Sequence, residues 1–245
     1  MNIYTNEKLV KRNALIAQVS MFGGLAVLAG GMIISFRDPT RYFNLSLLAL
    51  ALGFILSQVG IYFTNRYGRK PRPDQLLNIA LKGLDGKYTL YHYMNASSHV
   101  LVGPSGVWVL LPRYQRGTVT YSKGRYRQRS GGLLQNYLKI FAQEGLGRPE
   151  MDVQNEKENL KSWFTKHMPE DSKIPDIQAA LVFTNDNVKI DIPEDETLPA
   201  ETVMLVKLKD VVRKSAKAKV LSLERAKQIQ DLLSGEEPVV EGEEE

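Results

Sequence analysis

Cysteine is absent from the 245 residues, and histidine is scarce at three. The first absence excludes disulfides, thiolate metal ligands, iron–sulfur clusters and a cysteine nucleophile. The second leaves only His92, His99 and His167, too few without further ligands for a structural zinc site. A phosphate loop is missing as well: Gly145-Leu146-Gly147 lacks the flanking glycine and lysine and lies between expected helices, not after a strand. Gly103-Pro104-Ser105-Gly106 does not have the Gly-x-Ser-x-Gly spacing of a hydrolase elbow, so Ser105 reads as a turn residue. No metal and no cofactor are expected.

Charge is missing over two long stretches. Ala14 to Phe36 gives 23 uncharged residues and Asn44 to Thr64 gives 21 more. At about 1.5 Å per helical residue each is long enough to cross a hydrocarbon layer about 30 Å thick. Transmembrane helices are therefore expected over 14–36 and 44–65, with 1–13 as an N-terminal segment. The loop 37–43 between them is too short to fold, and Pro39 stops a helix, so the two run antiparallel as a hairpin. A cleaved signal peptide competes for the first stretch, with Lys8, Lys11 and Arg12 as its basic region, but the apolar run is too long and a second span follows. Ala49, Gly53 and Ser57 make a smooth stripe on which Ala26 and Gly30, or Ser20 and Gly24, can pack. Neither span holds a charged residue, which speaks against an ion path.

Seven basic residues flank the outer ends of the spans (Lys8, Lys11, Arg12, Arg66, Arg69, Lys70, Arg72), against Arg37 and Arg41 in the loop. This bias places both termini and the soluble part in the cytoplasm, in a multi-pass protein of the cell membrane. After a basic linker at 66–73, a soluble α/β domain is expected over 74–235, and the last ten residues, 236–245, hold six glutamates and read as a disordered acidic tail. Within the domain, a helix beginning at Asp74 precedes strands at Lys87–Tyr93, His99–Val102, Val107–Leu111, Thr118–Tyr121 and Tyr126–Gln128. Helices are expected at Leu134–Phe141 and Val153–His167. Ile177–Phe183, almost wholly apolar, suits a central strand covered on both faces. Strands at Val188–Ile192 and Val203–Val206 and helices from Leu208 and Leu221 complete the chain.

Positive charge is concentrated. From Arg66 to Arg129 there are twelve basic residues and two acidic ones, Asp74 and Asp85, a net of +10 that the whole-chain value of +5 hides. In its last part Arg113, Arg116, Lys123, Arg125, Arg127 and Arg129 interleave with Tyr114, Tyr121 and Tyr126, a composition suited to phosphate contacts with base stacking. It equally suits anionic lipid headgroups, or a solvated hairpin that only keeps the domain soluble.

Ser98 to Val119 (SHVLVGPSGVWVLLPRYQRGTV) resembles the central motif of the NERD, or nuclease-related domain, family: Asp-His, an apolar strand, Gly-Pro-x-Gly-Val, a second apolar strand, Glu-Thr-Lys-Asn and a glycine. Pro149, Gln154 and Leu160 fall where that family has an Asn-Pro, a Gln and a Leu in its next helix, and Ala180 to Thr184 resembles its later Val-Phe strand. The resemblance spans roughly residues 74 to 213. It implies a restriction-endonuclease-like fold, a mixed sheet flanked by helices, with a carboxylate and a Glu-x-Lys holding Mg²⁺ in active members. Here the resemblance breaks: Ser98 stands at the Asp position, Leu111 at the Glu and Arg113 at the Lys. Leucine cannot ligate Mg²⁺, and arginine does not readily exchange a proton. His99 and Gln154 are the polar residues retained. The expected site is therefore dismantled, unless carboxylates have moved, for instance to Asp74, Asp85 or Glu144.

Overall fold

A computed structural model describes residues 1–94, 97–129, 145–170, 172–193, 196–218 and 221–235. The expected helix at 134–141 and the acidic tail lie outside the described residues. The described chain divides into two compact units, one formed by Lys8–Pro73 and the other by Met1–Glu7 together with the residues from Asp74 onward.

The first unit is a helical hairpin. α1 (Glu7–Arg37) and α2 (Phe43–Phe63) are both long and apolar enough to cross a membrane. Their side chains are turned outward: Phe22, Leu25, Ile33, Leu48 and Ile55 are each between 58% and 66% exposed. A soluble core helix would bury such residues, and an exposed apolar surface of this kind marks contact with a membrane or a partner. The two helices touch through small residues. A Cβ placed on Gly24 would lie 2.8 Å from Ser57 Oγ and 3.0 Å from the Gly53 carbonyl, and one on Gly31 would meet Ala49. Ala49, Gly53 and Ser57 face α1 as a stripe, and of the two alternative pairs it is Gly24 from the second that packs there; Gly30 of the first has nothing within 4 Å of its Cβ position, and Gly31 meets Ala49. Helical backbone continues past α2 as a π-turn over Thr64–Gly68, which leaves only Arg69–Arg72 of the expected linker outside a helix.

The second unit is mixed α/β. Its main sheet has the order β1-β2-β3-β4-β7-β9, built from Asn2–Thr5, Thr89–His92, His99–Gly103, Gly106–Arg113, Ile177–Phe183 and Glu201–Met204. Only β3 runs against its neighbours; β1 with β2, β4 with β7 and β7 with β9 pair parallel. A second sheet, β6-β5-β8, comprises Arg125–Arg129, Gly117–Ser122 and Val188–Ile190. Helices α3 (Pro73–Leu81), α4 (Pro149–His167), α5 (Leu208–Ala218) and α6 (Leu223–Ser234) complete it.

Alternation explains the layering. Along β4, Trp108 and Leu110 join one apolar cluster with Leu77, Leu81 and Leu208, while Val107, Val109 and Leu111 join the other with Val153, Leu160 and Phe164 of α4. β4 and β7 are buried on both faces, which is why Ile177–Phe183 reads as an unbroken apolar run. Two differences from expectation stand out. Residues 2–5 are not a free N-terminal segment but an edge strand of the sheet, in register from Asn2 opposite Thr89 to Thr5 opposite His92. The last strand starts two residues early, at Glu201, because Leu205–Lys207 already turns into a short 3₁₀ helix ahead of α5.

Candidate functional site

The residues that the motif comparison singles out gather where β3 begins, where β4 ends, and along one side of α4. The turn between β2 and β3 closes through a hydrogen bond from the Tyr93 amide to the Ser98 carbonyl (2.8 Å). Tyr93 sits at φ 58°, a left-handed conformation that a bulky side chain avoids, and it is buried edge-on against His99 at 4.8 Å between ring centres. Strain of this kind concentrates where surrounding structure overdetermines a conformation, as at binding sites.

Glu156 holds this turn from α4. Its carboxylate accepts from Ser97 Oγ (2.5 Å), the Ser98 amide (3.0 Å) and Ser98 Oγ (3.1 Å). One helical turn earlier Asp152 accepts from the Arg113 guanidinium at 2.5 Å, a contact that is both hydrogen bond and ion pair. Residues four apart project from the same helix face, so Asp152 and Glu156 present two carboxylates to the ends of β4 and β3. Helix residues with no apolar role read as solvated in sequence, and this pair escaped the sequence analysis for that reason. A positive signal was available: acids at i and i+4 on a helix expected to pack beside a strand end carrying Arg113.

Leu111 is a core residue, 5% exposed within the cluster that faces α4. Its side chain serves packing, and no ligand group stands at this position. Gln154 is turned away: two positions from both Asp152 and Glu156, it lies about 200° around the helix, is exposed, and donates to Glu158 Oε1 at 2.9 Å. It lines a groove of about 800 Å³ together with Tyr121, Val153, Ile174 and Ile177. Gln154 is thus not part of the same constellation as Ser98 and Arg113.

His99 does have a polar role. Its Nδ1 lies 2.8 Å from Nδ1 of His92, and His92 Nε2 lies 2.8 Å from Asn78 Oδ1 on α3; both rings are buried. An amide oxygen only accepts, so His92 Nε2 carries a proton, and in a neutral His92 ring Nδ1 then accepts from His99 Nδ1–H. Antiparallel pairing of β2 and β3 puts the two histidines directly opposite each other.

The chain matches no protein-family model, no curated protein and no solved structure. Its chemistry has therefore to be read from the site itself. Among the described residues no group of three or more His, Cys, Asp or Glu is placed to hold a metal ion. Of the relocated acids considered from sequence, Asp74 is buried at the start of α3, Asp85 is exposed beside Lys87 (3.6 Å), and Glu144 lies outside the described residues.

The basic and aromatic residues of 113–129 do not form the single mixed patch expected from composition. Arg113 is committed to Asp152. Tyr114 is half-buried, its carbonyl accepting from Asn185 Nδ2 at 3.2 Å. Tyr121 and Tyr126 point into the core, tilted against each other with ring centres 4.7 Å apart. Burial pushes the Tyr126 phenol up to about 12, against the opposing pull of its 2.7 Å hydrogen bond to Thr202 Oγ1. Tyr126 is therefore a neutral core phenol and not a platform for stacking bases. The reason is strand geometry: in Arg125–Arg129 successive side chains alternate faces, so Tyr126 and Gln128 go inward while Arg125, Arg127 and Arg129 go outward. Lys123 and Gly124, both at positive φ, form the two-residue turn between β5 and β6.

Proposed function

We propose that this chain is a membrane-anchored, non-catalytic binding module of nuclease-related descent, acting at the cytoplasmic surface of the cell membrane on a polyanionic partner, with nucleic acid and anionic lipid as the two candidate forms. The observation that carries it is the pairing of Arg113 with Asp152 beside Ser97 and Ser98 bound to Glu156. A metal-dependent nuclease needs carboxylates with free oxygens around a divalent cation. Here one carboxylate already faces a guanidinium and the other already accepts three hydrogen bonds, so the charge a cation would supply comes from Arg113 and the turn.

The anchoring half of the reading is supported by the outward-facing apolar surface of α1 and α2. It is also supported by β1: a segment that leaves the sheet after Thr5 and rejoins it at Thr89 crosses a bilayer an even number of times, which two spans satisfy. The excess of basic residues outside the hairpin favours the cytoplasmic side.

Two measurements on the full chain test this. Alkaline extraction of membranes leaves the protein in the pellet; its release would remove the anchor. Calorimetric titration with Mg²⁺ and Mn²⁺ shows no binding, and labelled DNA and RNA remain uncut. The competing reading is a nuclease whose carboxylates have moved to α4, favoured by Asp152 and Glu156 sharing one face. Metal binding lost in Asp152→Asn, with phosphodiester cleavage, would establish that reading instead.

A further inference from the structure

The outward face of the second sheet is assembled by register. Opposed residues on neighbouring strands share a face, so the pairs Arg125 with Ser122, Arg127 with Thr120 and Arg129 with Thr118 lie on one side of the β6–β5 ladder, and Lys189 of β8 lies opposite Thr118. Arg125, Arg127, Arg129 and Lys189 are exposed, and none makes an ion pair with the described residues. Three hydroxyls stand between them. Among the described residues Asp191 is exposed just past β8, and Glu150 reaches β6 from α4, where it accepts from the Tyr126 amide (3.3 Å); the four charged side chains of the outward face itself are all cationic.

From this geometry we infer that the Arg125–Arg127–Arg129–Lys189 face docks on anionic lipid headgroups. The inference rests on the membrane-anchored reading above. The face offers guanidinium forks and hydroxyl donors, which suit phosphate oxygens, and among the described residues of its three strands it offers no aromatic ring, because Tyr121 and Tyr126 are spent on the core. That disfavours single-stranded nucleic acid, whose binding draws on base stacking. A chain held in a bilayer by two apolar helices, with only Arg69–Arg72 between the last helical turn and α3, keeps its folded unit tethered close to headgroups. Basic clusters beside a membrane anchor gain from an anionic leaflet in this way, and the gain fades with salt.

The absence of cysteine makes the test clean, since Thr120→Cys creates a single thiol in the middle of the face. The full chain carrying it is reconstituted into lipid nanodiscs, either phosphatidylcholine alone or with phosphatidylserine, and labelled with an uncharged polymer maleimide. Labelling in the anionic discs slows by about tenfold or more, a conservative share of what four cations near such a surface supply. High salt restores it, as does the combined Arg125→Gln, Arg127→Gln, Arg129→Gln variant, while a Lys166→Cys probe on α4 labels equally in both discs. Equal labelling of Thr120→Cys in both lipids overturns the lipid inference yet leaves the anchor intact, because the protein still co-elutes with the discs. Protection by added DNA or RNA in neutral discs, without protection by anionic lipid, overturns it in favour of a nucleic-acid face. Failure to enter discs at all overturns both readings. The salt response uses the native face, so it decides the matter even where the triple variant does not fold.

Discussion

Raising the pH tests whether Tyr126 belongs to the core or to a binding surface. Burial holds the phenols of Tyr126 and Tyr91 in the neutral state up to about 12, from an ordinary value of 10. The unfolded chain releases these protons first, so between about pH 10 and 12 the native state binds more protons than the unfolded one and stability falls as pH rises. Below pH 10 the contribution is complete. The rise from 10 to about 12 corresponds to about 2.7 kcal/mol per tyrosine at the upper end of the window, and the pair together reaches the lower end of the 5–15 kcal/mol that typical domains possess. In a detergent-solubilised sample, phenolate absorbance and far-ultraviolet circular dichroism are followed together. The expected result is a late absorbance step coincident with loss of the sheet signal, and a higher alkaline midpoint for Tyr126→Phe. Should Tyr126→Phe and the parent titrate identically, with no late step, the ring is reached by solvent and the alternation argument for β6 fails.

The remaining predictions concern packing and the polar site. Glu156→Ala releases three donors on Ser97 and Ser98 and lowers stability by about 2–4 kcal/mol, read as a drop in thermal midpoint; a loss below about 0.5 kcal/mol would show the turn holding itself. Gly24→Leu drives a branched side chain into Ser57 and the Gly53 carbonyl, and cysteine cross-links placed between α1 and α2 form several-fold more slowly, whereas Gly23→Leu, with nothing within 4 Å, leaves them unchanged. His99→Phe removes the donor to His92 Nδ1 from a buried pair and costs about 1–3 kcal/mol, measured by chemical denaturation.

Much of the fold was legible because its signals are local. An uncharged run of 23 residues, the Gly103–Gly106 turn between two apolar strands, and the all-apolar Ile177–Phe183 each carry their own explanation. What escaped is what distance along the chain conceals. Residues 2–5 are too short to announce a strand, and their partner β2 starts at Thr89. Asp152 and Glu156 gain meaning only from Arg113 and Ser98 across the fold. Tyr126 is a different case. The period-two pattern Arg-Tyr-Arg-Gln-Arg already places the tyrosine opposite the arginines once the segment is a strand; composition alone merges them into one patch, and the strand rule separates them.

Within the folded unit, the segment that precedes α1 and the helix that follows the hairpin are both tied to one residue, His92. Thr5 pairs with His92 and the Asn6 amide donates to the His92 carbonyl (3.0 Å), so the backbone of His92 carries the strand from which α1 departs. Its side chain carries the other end, through Asn78 on α3, the first helix after α2. His99 then ties this node to β3, and Ser98 next to it ties β3 to Glu156 on α4. Each link is a buried or half-buried hydrogen bond whose loss strands a polar group away from water, which costs more than the bond itself contributes. Within the folded unit the start of β3 is thus a joint between the sheet, α3 and α4, while Arg125, Arg127, Arg129 and Lys189 stay exposed on the second sheet.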